Sequence, residues 1–162
     1  LVCGAAIGGG IAGFTAQWLG RWSLSTLVGV NVETGGGLEG IIIGAAAGLG
    51  YSLSTIRAEG GLAAPRGRER LRAVSITALS CGLAALMLTL AGRPLVGGTI
   101  HAIAEASLGS QAALTPIARL LGEPDFGPLT AAVIGTGEGA LFGIGLAFGL
   151  TRRGRASGIA GN

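Results

Sequence analysis

The chain has 162 residues, of which 12% are charged and 49% are hydrophobic, and its mean hydropathy is +0.67. A soluble domain carries about 25% charged residues, so this composition excludes an ordinary soluble domain and indicates an integral membrane protein. The net charge of +3 comes from arginines, but only 4% of residues are aromatic, so we expect no nucleic-acid partner.

Four long apolar segments predict four transmembrane helices. They occupy approximately residues 1–19, 30–55, 73–92 and 128–151. A helix rises 1.5 Å per residue, so each segment can cross a hydrocarbon core of about 30 Å. The predicted fold class is therefore all-α and membrane-integral, and the lipid bilayer is the expected environment.

Four polar or weakly apolar segments connect or follow these helices. Residues 20–29 are predicted to form a short turn, and residues 57–72 an arginine-rich cytoplasmic loop. Residues 99–121 predict an amphipathic interfacial or re-entrant segment between helices three and four. Residues 152–162 form a basic tail.

The arginines predict how the chain is oriented in the bilayer. With four spans, the 57–72 loop and the tail lie on one side and together hold eight of the eleven arginines. The positive-inside rule makes that side cytoplasmic, so we expect both ends of the chain in the cytoplasm. The use of arginine without lysine favours a GC-rich bacterial source, and hence a bacterial inner membrane.

Helices two and four resemble each other. When Glu39 is aligned with Glu138, glycines of the second helix coincide with glycines of the fourth. A shorter match, between the Cys-Gly pairs at residues 3–4 and 81–82, suggests that helices one and three also correspond. The chain is therefore expected to hold two parallel helix-pair repeats, 1–56 and 73–151, related by an axis along the membrane normal.

Glycines recur every four residues along several of the predicted helices, in a glycine-zipper pattern. Residues four apart share a helix face, and a glycine face lets another backbone approach closely. The candidate packing glycines are Gly36, Gly40, Gly44 and Gly48 on helix two, Gly135, Gly139 and Gly143 on helix four, and Gly4 and Gly8 on helix one. They serve either packing within one four-helix bundle or self-association into an oligomer.

Glu39 and Glu138 are the candidate ion or proton site. A carboxylate in the middle of a membrane costs roughly 2.5–3.5 kcal/mol on insertion scales, so it needs a function or a partner. The structural alternative is that each glutamate bonds to a neighbouring helix or lies near an interface. For Glu39 in particular, glycines 35–37 can break the helix and place the carboxylate at a helix start, where the dipole favours negative charge.

His101 and Glu105 are one helical turn apart and can form a pH-sensitive pair. The alternative is that His101 is an ordinary solvated residue. Cys3 and Cys81 lie in apolar segments and are expected to be small buried side chains rather than a disulfide or metal ligands.

No arrangement of catalytic residues is present in the sequence pattern, so we expect no enzyme activity, no cofactor and no metal site. The first hypothesis is a non-catalytic membrane module that anchors, scaffolds or oligomerises an assembly with other membrane subunits or copies of itself. The alternative is a proton or cation channel that uses Glu39 and Glu138.

Overall fold

The computed structural model describes residues 1–27, 36–55, 67–93, 95 and 115–151. All regular secondary structure within these ranges is helical. Four of the helices are long and apolar enough to cross a membrane. The prediction of an all-α membrane protein with four candidate spans is therefore confirmed.

The first helix, α1, comprises Val2–Leu27 and is longer than predicted. Residues 20–27, which were expected to lie in a turn, continue the helix. This segment contains no proline, and its one glycine, Gly20, does not end a helix whose backbone groups must bond internally in lipid. Near the end of α1, the Ser25 hydroxyl donates to the Trp22 carbonyl at 3.0 Å, so this polar side chain is satisfied by its own helix.

The second helix, α2, comprises Gly37–Thr55, and the third, α3, comprises Arg68–Leu90. The predicted start of helix two, residues 30–35, lies outside the described residues, as do loop residues 57–66. Helix α3 includes residues 68–72, which were expected to belong to the arginine-rich loop. Arginine, glutamate and leucine are good helix formers, and Gly67 (φ 55°) provides the non-helical residue before them.

Two further helices follow, α4 at Thr115–Leu120 and α5 at Pro128–Leu150. Only the end of the predicted amphipathic segment is described, because residues 99–114 lie outside the described ranges. Pro128 occupies the first turn of α5, where its missing N–H costs no helical hydrogen bond.

The four long helices pack in chain order. Helix α1 packs against α2, α2 against α3, and α3 against α5, whereas α2 and α5 touch at few positions. Residues near the end of each helix contact residues near the start of the next, so neighbours in this row are antiparallel. The described helices thus form a row with α1 and α5 at its two edges.

Small side chains fill the helix contacts, and large apolar side chains point outward. The buried apolar residues are Ala47, Ala73, Val74, Cys81, Ala85, Leu88, Ala118 and Ala147. Exposed large residues include Ile7, Phe14, Trp18, Leu79 and Leu141. A water-soluble bundle buries its large apolar side chains, so this distribution is consistent with a multi-pass membrane protein.

The two cysteines differ in environment. Cys81 is buried, with its Sγ 4.0 Å from the Ile43 carbonyl oxygen across the α2–α3 contact. Cys3 is exposed on α1, so the expectation that both are buried is wrong for Cys3. The reason is that α1 lies at the edge of the row, where α2 is the described helix that packs against it.

Candidate functional site

Glu39 lies in the first turn of α2, at the end of the span rather than in its middle. Its Oε2 accepts a hydrogen bond from the Gly36 backbone N–H at 2.7 Å. This is the reciprocal half of a capping box, in which the third residue of a helix bonds back to the N–H at the helix start. The α2 dipole also stabilises a negative charge here.

Arg93 provides the second partner of Glu39. Its Nη1 donates to Glu39 Oε1 at 2.9 Å, and the Glu39 side chain is 10% exposed while that of Arg93 is 51% exposed. Both carboxylate oxygens of Glu39 therefore accept hydrogen bonds, and its charge is compensated.

The C-terminal turn of α3 fixes the position of Arg93. Gly92 adopts φ 73°, its N–H bonds to the Thr89 carbonyl at 3.0 Å, and the Arg93 N–H bonds to the Leu88 carbonyl at 2.9 Å. These are the two hydrogen bonds of a Schellman motif. The motif favours glycine at the position of Gly92, because the backbone there adopts the left-handed conformation. Arg93 was not among the predicted site residues, although the Gly-Arg-Pro that follows the apolar run is a signal for this turn.

Glu138 lies midway along α5 and lines a cavity of about 280 Å³. The cavity lies between the end of α3 and the first half of α5. Its other lining residues are Thr89, Gly92, Leu95, Phe126, Ala131 and Gly135. The site therefore combines one half-buried carboxylate with one hydroxyl, one aromatic ring and otherwise apolar groups.

The two predicted carboxylates lie beside the same structural feature, the C-terminal end of α3. Arg93 bonds to Glu39, while Thr89 and Gly92 line the cavity that contains Glu138. Their surroundings differ, because Glu39 is capped and ion-paired whereas Glu138 faces a cavity. The two glutamates therefore lie in chemically different environments.

Glu123, which was not predicted as a site residue, caps the start of α5. Its carboxylate accepts hydrogen bonds from the Thr130 hydroxyl at 2.6 Å, the Thr130 N–H at 2.8 Å and the Leu129 N–H at 3.0 Å. The hydroxyl bond from Thr130 and these backbone N–H groups lower the pKa of Glu123, outweighing its desolvation. Glu123 is thus held as a carboxylate at the positive end of the α5 dipole.

The glycines of α2 lie against α1 at backbone distance. A Cβ on Gly40 would collide with the Gly9 carbonyl oxygen, and a Cβ on Gly44 with that of Ala5. Gly36 lies against the Gln17 side chain, and a Cβ on Gly48 would lie 2.9 Å from the Ala5 Cβ. The three predicted packing glycines of α2 and Gly36, which directly precedes it, therefore face α1 within the chain.

The glycines of α5 face α3 in the same way. A Cβ on Gly139 would lie 2.5 Å from the Cys81 carbonyl oxygen, and one on Gly143 would lie 2.7 Å from that of Thr77. Gly135 lies against the Thr89 hydroxyl. This hydroxyl donates to the Ala85 carbonyl at 2.9 Å, so a polar group is satisfied inside the helix contact.

Gly4 and Gly8 behave differently from the other predicted glycines. Both are exposed, and no atom lies within 4 Å of a Cβ built on either of them. The α1 glycines that contact α2 are Gly9, Gly10 and Gly13. Gly4 and Gly8 therefore belong to the outer face of α1.

Two predicted residues, His101 and Glu105, lie outside the described residues. Within the described ranges, no three His, Cys, Asp or Glu residues are grouped so that they could hold a metal ion.

Comparison of the chain with protein-family models, with curated proteins and with solved structures finds no match.

Proposed function

We propose that this protein is a non-catalytic membrane module that scaffolds or oligomerises a larger membrane assembly through the outer face of α1. The observation that carries this proposal is the pair Gly4 and Gly8: both are exposed, and a Cβ built on either would meet no described atom within 4 Å. The seven other predicted packing glycines are engaged inside the chain, so among the predicted packing glycines this pair on the outer face of α1 is the one left for a partner.

The chemistry of this face suits a second helix. Gly4 and Gly8 are one turn apart, and the adjacent Ile7 and Ile11 are 63% and 65% exposed. In lipid, helices associate through close van der Waals packing where small residues let backbones approach. Helix α1 already packs in this manner on its inner side, where Gly9 and Gly13 meet α2. The expected partner is another membrane subunit or a second copy of the chain.

The test is the assembly size of a Gly4→Leu/Gly8→Leu variant in mild detergent, measured by native mass spectrometry. Bulky side chains on this face should reduce the assembly to smaller species and leave the helical content unchanged. Gly145→Leu is the control, because Gly145 is also exposed with nothing within 4 Å but lies on α5. A wild-type monomer, or an assembly of unchanged size in the α1 variant, would contradict the proposal.

The two helix pairs are proposed to be copies of one unit. The support is their contact register: Gly40 of α2 meets Gly9 of α1, and the aligned Gly139 of α5 meets Cys81 of α3. Gly44 and Gly143 make the equivalent contacts one turn further along. This register pairs Cys81 with Gly9, so it does not support the match between the two Cys-Gly sequences.

A second candidate function is cation binding or translocation at Glu138, which is favoured by the cavity that this carboxylate lines. Glu39 is less suited to such a role, because both of its oxygens accept hydrogen bonds from Gly36 and Arg93. Proton and cation flux into liposomes should fall in Glu138→Gln and persist in Glu39→Gln. Absence of flux in the wild-type protein, or equal flux in Glu138→Gln, would exclude this candidate.

For the orientation, the proposal is that the helix ends at Thr55, Arg68 and Thr151 face the cytoplasm of a bacterial cell. Its support is the positive-inside rule applied to the arginines in and beside these ends.

A further inference from the structure

The outer face of α3 changes character along its length. Residues spaced three or four apart share one side of a helix, and on this side of α3 all of the following are exposed: Arg68, Arg72, Ser75, Leu79, Leu83 and Leu90. The first two of these positions are arginines, with the exposed Glu69 beside them, the next is a hydroxyl, and the rest are leucines. The leucines are 55–68% exposed, so the face is unoccupied by the other described helices.

This order matches the layers of a bilayer. The candidate span in α3 begins at Arg68 and ends at Leu90, so the arginines lie at the headgroup end and the leucines lie at hydrocarbon depth. Arg68 and Arg72 are separated by about 6 Å along the helix axis, which is close enough for both guanidinium groups to reach one phosphate.

Arg70, between them, has a different role. Its Nε donates to the Thr151 hydroxyl at 3.0 Å, and its Cζ lies 4.7 Å from the centre of the Phe148 ring. Arg70 therefore ties the start of α3 to the end of α5. Arg68 and Arg72 are exposed, and within the described ranges neither forms a salt bridge, so they are available to an external anion.

We propose that the outer face of α3 is a binding site for an anionic phospholipid. Arg68 and Arg72 bind the phosphate through their planar guanidinium groups, which match phosphate oxygens in bidentate fashion. One acyl chain lies along Leu79, Leu83 and Leu90. This inference does not depend on the proposed assembly through α1, because it concerns another helix and another ligand.

The experiment measures thermal unfolding of the purified chain in neutral detergent, with phosphatidylglycerol or phosphatidylcholine added. Phosphatidylglycerol should raise the Tm more than phosphatidylcholine does, because binding to the folded state stabilises it. Arg68→Gln/Arg72→Gln should lower the apparent affinity on the order of tenfold or more, since each basic residue near an anionic lipid contributes to binding. Arg21→Gln/Arg119→Gln, which removes two exposed arginines elsewhere, should keep the wild-type shift.

Two further arms make the outcome decisive. Glycerol 3-phosphate has the phosphate but no acyl chains, and it should give no Tm shift at the same concentration. A Tm shift equal to that of phosphatidylglycerol would mean that the site binds a soluble phosphate compound rather than a lipid. Arg68→Lys/Arg72→Lys keeps the charge and the fold but loses the planar guanidinium groups. Its Tm shift with phosphatidylglycerol should therefore lie between those of the wild type and the glutamine variant. Equal shifts for the two lipids, or an undiminished shift in the glutamine variant, would overturn the proposal.

Discussion

Two charged residues, Arg93 and Glu123, are each placed by a glycine that ends the preceding helix. Gly92 and Gly122 adopt φ 73° and 81°, and the N–H of the residue after each bonds back to a carbonyl in the last helical turn. The next side chain then points to the start of a different helix: Arg93 reaches Glu39 on α2, and Glu123 reaches α5. At the residue scale, backbone geometry therefore decides which charges meet.

The Glu39–Arg93 pair should be detectable as an energetic coupling. Glu39→Gln is expected to lower the free energy of unfolding by about 1–2 kcal/mol, because a charged acceptor of two hydrogen bonds is lost. The coupling with Arg93→Gln should be about 0.5–1 kcal/mol, since the arginine is half exposed. Unfolding of the single and double variants in mixed micelles measures both quantities. Arg21→Gln, on α1, should show no coupling with Glu39→Gln; additive effects of Glu39 and Arg93 would contradict the pair.

At the element scale, the helices pack most closely at glycines, which have no side chain. The α1–α2 contact brings Gly9 and Gly13 against Gly36 and Gly40, and the α3–α5 contact brings α5 glycines against Cys81 and its neighbours on α3. Such contacts gain dispersion energy from backbone atoms and lose little side-chain entropy, which suits association in lipid. The position of a glycine on the helix then decides whether it can be replaced.

Two glycines on α1 provide a matched test of this packing. Gly9→Ala places a Cβ against the Gly40 carbonyl and should destabilise the fold by about 1–3 kcal/mol. Gly20→Ala meets no atom within 4 Å and should be neutral or stabilising by up to about 1 kcal/mol, because alanine favours the helix. Detergent-induced unfolding compares them; equal effects would mean that α1 does not pack on α2 by this face.

The cap on α5 should make stability depend on pH. The bonds from Thr130 and nearby N–H groups keep the folded-state pKa of Glu123 below the ordinary value of 4.5. Its stabilising contribution is therefore complete above pH 4.5 and is lost as pH falls through the folded-state pKa. The difference in unfolding free energy between wild type and Glu123→Gln should shrink as pH falls in this range. Glu69→Gln, which removes an exposed carboxylate on α3, should not reproduce that profile.

For the whole molecule, the two ends of the helix row differ in net charge. Arg68, Arg70 and Arg72 lie with Glu69 at one end of α3, whereas Arg93 lies with Glu39, Glu123 and Asp125 at or beyond the other. Unequal numbers of basic residues on the two sides orient a membrane protein during insertion. The antiparallel packing of successive helices is compatible with one such orientation for all four spans.

The proposed orientation predicts opposite labelling of the two ends in intact cells. After replacement of Cys3 and Cys81, a cysteine introduced by Asp125→Cys should react with a membrane-impermeant maleimide from outside. Glu69→Cys, at the other end of the row, should react only after the membrane is permeabilised. The reverse pattern would invert the topology, and labelling of both positions from outside would contradict the four spans.

The sequence by itself determined the all-helical class and the four candidate spans. These depend on composition and on the length of apolar runs, which the bilayer thickness converts directly into helices. Helix ends were less predictable. Residues 20–27 became helical because the backbone groups of a helix in lipid must bond internally, and residues 68–72 because arginine, glutamate and leucine are good helix formers. Only the tertiary structure decided which glycines of α1 face a partner, since Gly4 and Gly8 follow the same pattern as Gly9 and Gly13. It also decided that Glu39 meets Arg93, a pairing of residues distant in sequence that depends on how α2 packs against α3.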